Sequence, residues 1–196
     1  MNPIRDNNYL ALDLELNSDG QKTDEIIQVG IALGSPGNIF LKDSRIVKIK
    51  NPLHSFITNL TGITQEDVDN GCELKDVAEW LSAIIDEHKP FVNPVTWGIG
   101  DSEELLAEFR QNDIAFPYFG RRIIDVKHLF LFIEAANGRA LSGGLRSSMG
   151  KHKLQFNGTP HRADDDAFNT LRFFFHLLRR QRKLEEMYQT ALQIKW

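Results

Sequence analysis

The sequence predicts an α/β chain with one mixed central sheet, antiparallel in its first half and parallel in its second, flanked by helices. Three observations predict it. Strand-like runs crowd the first fifty residues with only turns between them, as in an antiparallel meander. From about residue 64 onward, segments of helical spacing alternate with short apolar runs, as in βα units. And 196 residues, 41% of them hydrophobic and 13 of them Phe, suffice to bury one full core.

The elements follow in order. Residues 9–15 alternate, with Leu10, Leu12 and Leu14 on one face and Ala11, Asp13 and Glu15 on the other, which is a strand. Asn17-Ser18-Asp19-Gly20 is a turn. Residues 25–33 form a second strand, and 39–41 with 46–49 read as a third strand and its continuation, interrupted at Asp43-Ser44. Thr64 caps a helix start whose first turn holds Glu66 and Asp67. Residues 74–87 carry Leu74, Val77, Ala78, Leu81, Ile84 and Ile85 at helical spacing. Residues 91–97 read as a buried strand despite Pro94, and a helix over 101–109 follows the Gly98-Ile99-Gly100 turn. A short strand at Ile123-Ile124 leads into a helix over 126–136, with Asp125 as its cap. Residues 140–150, rich in Gly and Ser, form a lid or short helix. Residues 162–182 make a long amphipathic helix, and the tail to Trp196 continues it or packs on the body. The expected organisation is a single domain over 1–196, with its core at about 9–178 and a helical tail over 179–196.

Bulk properties exclude several classes. No run of about 18 apolar residues exists, so no spanning helix and no membrane partner are expected. The first residues hold no apolar stretch after their charges and do not read as a signal peptide. Cys72 is the one cysteine, so neither an internal disulfide nor a cysteine zinc cluster is available. A cytoplasmic location is the resulting expectation. The net charge of −4 argues against a nucleic-acid partner only until four carboxylates are assigned to cations, which leaves the remainder at zero. Basic residues then gather in the second half, at Arg121-Arg122, Lys127-His128, Lys151-His152-Lys153 and Arg162.

Three motifs carry chemistry. Asp13-Leu14-Glu15 sets two carboxylates on one strand face, where burial is costly unless they are paired or bind a hard cation. Taken alone, an ordinary solvent-facing pair is the better explanation of that motif. Asp101 follows Trp97-Gly98-Ile99-Gly100 at a helix start, where it is either a cap or a ligand at a strand end. His161-Arg162-Ala163-Asp164-Asp165-Asp166 opens the last long helix. The helix dipole accounts for Asp164 and Asp165 but not for His161, whose imidazole suits proton exchange near neutral pH.

Taken together and in this order, from Tyr9 to Leu178, these motifs resemble the DEDDh exonuclease superfamily of the ribonuclease H-like fold. The strings Phe119-Gly120-Arg121-Arg122-Ile123-Ile124-Asp125-Val126-Lys127 and Gly158-Thr159-Pro160-His161-Arg162-Ala163 are similar to its ribonuclease T, KapD-like and ERI-like branch. The resemblance implies that Asp13, Glu15, Asp101 and Asp166 hold two divalent cations, Mg²⁺ or Mn²⁺, and that His161 is the general base. It implies a 3′→5′ exonuclease acting on single-stranded nucleic acid with a free 3′ end and releasing nucleoside 5′-monophosphates. RNA is the preferred polymer on this resemblance. DNA trimming and a catalytically silent binding module are the alternatives. Leu16 stands where the family often has Thr or Ala and is expected to wedge against the terminal nucleotide. Gly100 replaces an aromatic common in the ERI-like branch, which leaves Phe56, Phe91 or Trp97 to supply a stacking platform. Arg121, Arg122, Lys151, Lys153 and Arg162 either guide the backbone or form a solvated basic face.

Overall fold

The sheet is laid down around β1 (Tyr9–Asn17), whose two faces feed two separate cores. The structure, a computed structural model, describes residues 7–18, 24–115 and 122–193. β1 pairs antiparallel with β2 (Glu25–Ser35), which pairs antiparallel with β3 (Asn38–Ile46). On its other side β1 pairs parallel with β4 (Val95–Thr96), and β4 with β5 (Ile124–Asp125), giving the order β3-β2-β1-β4-β5. The mixed sheet is the one expected from the strand spacing. Between the strands lie α1 (Ser55–Thr61), α2 (Gln65–Asp69), α3 (Leu74–His88) and α4 (Gly100–Gln111), followed by α5 (Val126–Ala136), α6 (Leu145–Lys151) and α7 (Ala163–Gln193). No described helix is long and apolar enough to cross a membrane.

Alternation along β1 and β2 assigns the helices to faces. Leu10, Leu12 and Leu14, with Val29, Ile31 and Leu33 of β2, pack on Val77 and Leu81 of α3 and on Leu105 and Phe109 of α4. Tyr9 and Ala11, with Ala32, pack on Phe130 of α5, Met149 of α6 and Leu171 and Phe173 of α7. Asp13 and Glu15 continue this second face, so the sheet aims them at α7.

Several elements differ from the sequence reading. Residues 91–97 do not form one buried strand; only Val95–Thr96 pair, and Phe91 is exposed. Prolines at 90 and 94 lack the N–H a ladder needs. β3 is continuous through Asp43-Ser44, because an edge strand can turn polar residues to water, and Ser44 Oγ accepts from Gln28 Nε2 at 3.0 Å. α7 begins at Ala163 and runs to Gln193, so the tail continues the helix. The expected caps hold. Thr64 and Asp67 form a reciprocal capping box, and Asp125 Oδ1 accepts the His128 N–H. Residues 140–150 resolve into an extended lead and the short helix α6.

Candidate active site

Four carboxylates meet where β1 ends and α4 and α7 begin. Asp13 and Glu15 come from β1, Asp101 from the first turn of α4 and Asp166 from the first turn of α7. Their charges act on one another. Burial, then the carboxylates of Asp101, Asp166 and Glu15, hold Asp13 well above the usual carboxylate range. Glu15 is pushed up to about 8 by burial, then by Asp166 and Asp101, with Arg162 opposing. Asp101 is pushed up to about 7, chiefly by burial, although a backbone hydrogen bond with Leu14 favours its charged form. Asp166 rises to about 6, again through burial, with the His161 N–H pulling it down. Like charges gathered in a half-dry cleft have this effect unless a cation joins them.

Three features of the chain build the convergence. Gly30 is the register partner of Asp13. A side chain there would meet the Ala163 and Asp164 backbone at 2.0–2.3 Å, so its absence lets α7 start directly against the sheet. Gln28 is fully buried opposite Glu15, and its Oε1 accepts the Ala163 N–H at 3.1 Å. This satisfies one of the orphan donors at the helix start. Lys42 of β3 bridges Asp164 at 3.1 Å and also pairs with Asp165, whose other oxygen accepts the Thr159 N–H at 2.8 Å. Asp164 and Asp165 therefore moor α7 to β3 and to the preceding loop, a role the helix-dipole argument did not contain.

His161 takes a left-handed backbone conformation, φ 63°, fixed by its N–H donating to Asp166 Oδ2 at 2.7 Å. A non-glycine residue there is uncommon and marks a specified turn. The turn sets the exposed imidazole beside Glu15 and Asp166, and one ligand atom from each of the three lies within 4.8 Å of the others. Hard carboxylate oxygens in a site of mutually repelling acids fit a divalent cation, with the imidazole at their edge.

The cleft has a volume of about 860 Å³ and is lined by Asp13, Glu15, His161 and Asp166 together with Leu14 and Trp97; Asp101 is not in the lining and acts on Asp13 and Glu15 electrostatically. The α6 segment adds Leu145, Arg146 and Ser147. Trp97 is the expected aromatic that reaches the site, resting on Phe130 and Phe173 with ring centroids 6.0 Å away in each case. Phe91 instead packs tilted against Tyr9 at the far end of β1, and Phe56 stands exposed on α1. Leu16 does not line the cleft. It continues the alternating face of Leu10, Leu12 and Leu14 onto the α3–α4 core, and Leu14 rather than Leu16 lines the cleft beside the acids. Arg162 is half-buried and acts electrostatically on both Glu15 and Asp67. Arg122 is exposed and absent from the lining, and Arg121 lies outside the described residues. Lys151 donates to Ser142 O at 2.7 Å, away from the acids. The α6 contribution was missed because a Gly/Ser-rich stretch carries no periodicity to locate it.

The raised carboxyls set a pH dependence of stability. A carboxyl raised in the folded state is protonated there when the unfolded chain has already ionised, so its stabilising effect is complete below its ordinary value. That effect is lost as pH climbs through the folded value. For Glu15 the window runs from its ordinary 4.5 to about 8. The metal-free protein is therefore expected to lose stability between these limits, and millimolar Mg²⁺ or Mn²⁺ to restore it, with the largest rise at the alkaline end. A ligand at 100 times its dissociation constant adds about 2.7 kcal/mol. Melting curves from pH 5 to 8, with and without metal, check this; a metal effect that shrinks toward pH 8 would contradict it.

The RNase_T family model, described as Exonuclease, matches residues 10–174. DNA polymerase III PolC-type from Mycoplasmopsis pulmonis (strain UAB CTIP) is 32% identical over 113 residues, covering 58% of this chain and 8% of that protein. The 3′-5′ exonuclease DinG of Bacillus subtilis (strain 168) is 22% identical over 188 residues, covering 95% of this chain and 19% of that protein. The chain thus spans less than a fifth of the length of these two relatives. Among solved structures, the nuclease domain of 3′hExo, a DEDDh family member bound to rAMP, superposes with a TM-score of 0.77 at 21% identity. That match covers 88% of this chain and 92% of the other, and it identifies the fold as ribonuclease H-like.

Proposed function

Since the chain belongs to the RNase_T exonuclease family, we propose that it removes nucleotides one at a time from the 3′ end of single-stranded nucleic acid, as a divalent-metal-dependent hydrolase. One observation carries this reading: Asp13, Glu15 and Asp166 line one cleft with His161, and Asp101 at the start of α4 lies close enough to raise the pKa of both Asp13 and Glu15. Asp13, Glu15, Asp101 and Asp166 are the residues that would hold two cations, Mg²⁺ or Mn²⁺. When bound, such cations supply a water of lowered pKa and neutralise phosphate charge.

The protein's own groups do the rest. His161, exposed at the cleft edge, takes the proton of the attacking water. Its backbone bond to Asp166 fixes where the imidazole stands. Trp97 offers a ring face on which any base can stack. The products are a nucleoside 5′-monophosphate and a strand shortened by one nucleotide. No side chain of the cleft reads a base edge in this scheme, so trimming tolerates any sequence.

RNA is the polymer favoured by the Gly158–Ala163 and Phe119–Lys127 strings. A second reading, DNA, is favoured by a specific observation: the relative matched at 32% identity is a DNA polymerase. Time courses on 5′-labelled single-stranded RNA, single-stranded DNA and duplexes, with Mg²⁺, Mn²⁺ or chelator, test the reading. Stepwise shortening from the 3′ end that stops on chelation is expected. Equal or faster loss of DNA would select the second reading, and chelator-resistant or internal cleavage would overturn the proposal itself. His161→Ala is expected to lose about 10²–10⁴-fold in turnover while still binding Mn²⁺ by calorimetry. Loss of binding would make His161 a ligand instead.

A further inference from the structure

We propose that Arg146, the first exposed side chain of α6, binds a backbone phosphate of the strand upstream of the scissile bond. The inference rests on the exonuclease reading above and adds a substrate contact to it. Among the described lining residues, Arg146 is the only permanent cation in a cleft that otherwise presents Asp13, Glu15 and Asp166. It is exposed and, among the described residues, makes no hydrogen bond or ion pair of its own, unlike Lys42, Arg139, Arg172 and Arg180. A guanidinium without a protein partner, held in a cleft for a polyanion, is matched by a phosphodiester oxygen pair.

The mount beneath it is rigid. Leu145 and Met149 bury α6 in the core. At its C-terminus His152 turns inward, with Nδ1 3.3 Å from Arg180 and Nε2 3.6 Å from Glu134, and Glu134 also pairs with Arg139 at 3.1 Å. Buried His152 and Glu134, with Arg180, tie α6 to α5 and α7, so Arg146 reaches the cleft from a fixed base. The scissile phosphate belongs to the carboxylate end of the cleft. A strand entering there must lay its preceding phosphates along another wall, and α6 supplies one with a charge to offer.

The test compares two substrates. On a dT oligonucleotide, Arg146→Ala is expected to raise KM about tenfold with kcat within a factor of three. The slope of log affinity against log salt should flatten by about 0.7, the value for one single-strand phosphate contact. On the 4-nitrophenyl ester of thymidine 5′-monophosphate, which has a single phosphate, the loss in kcat/KM should be at least fivefold smaller. Arg146→Lys should recover part of the oligonucleotide affinity. Equal losses on both substrates would move Arg146 to the scissile phosphate, and an unchanged KM and salt slope would remove it from the substrate path; either overturns the proposal. Fluorescence anisotropy of labelled dT oligonucleotide in chelator reads the same contact without turnover. If the wild type binds there but hydrolyses nothing with metal, the exonuclease reading fails while Arg146 is still decided.

Discussion

Replacing Asp13 or Asp166 by Asn is expected to abolish metal-dependent hydrolysis, by about 10³-fold or more, equivalent to ~4 kcal/mol of transition-state stabilisation, and to make the metal-free protein more stable at pH 8. Both effects have one cause. Asp13 sits among Asp101, Asp166 and Glu15, and its ionised form is disfavoured by burial and by each neighbour. An amide keeps the shape and removes the charge, so the neighbours are relieved and the fold gains. The same change removes an oxygen anion from the set that would hold the cations. Such opposition between stability and activity is expected where a site stores repulsion for use. Melting curves and single-turnover assays on the two variants test the pair of claims. Near-normal activity in both would dismiss the metal site, and a lower melting temperature at pH 8 would dismiss the account of repulsion.

Gly30→Ala is expected to cost about 1–3 kcal/mol in stability and on the order of 10²-fold in turnover, although residue 30 touches no substrate. The added carbon would fall 2.0 Å from the Ala163 carbonyl carbon, which is main chain and cannot rotate aside. The start of α7 must then move off the sheet, taking Asp166 and the His161 turn away from Asp13. Gly150→Ala is the control. That position lies in α6 with nothing within 4 Å of the new carbon, so the change should be neutral or stabilise by about 0.5–1 kcal/mol. If Gly30→Ala melts and turns over like the wild type, the close approach of α7 is not what assembles the site.

The candidate residues each lie in a local signal that is ambiguous alone, and it was the order of the three motifs and their resemblance to a family that singled out the five, four of which line the cleft. Asp13 and Glu15 interrupt an alternating strand, Asp101 follows a turn, and His161 and Asp166 bracket a helix start. The aromatic floor was harder. Phe91 and Trp97 lie on the same short apolar run, and only the placement of β4 shows that Trp97 faces the acids while Phe91 packs against Tyr9. Leu16 misled for a different reason. Its place in the cleft was expected from the resemblance alone, whereas alternation along β1 puts it with Leu10, Leu12 and Leu14 on the α3–α4 face, where it packs.

By itself the sequence determined the mixed sheet, the faces of β1, the spans of α3, α4 and α5 within a few residues and the chemical types that gather at the site. These follow from periodicity and capping, which act over a few neighbouring residues. Tertiary structure alone decided how the types are brought together. Gly30 and Gln28, both ordinary residues in an apolar strand, admit and cap a helix that begins 133 or more positions later. Lys42 fastens the same helix from the sheet edge. Arg146 reaches the cleft from a segment without periodicity. Contacts of that range leave no mark in local pattern, because what selects each residue is a partner supplied by a distant part of the chain.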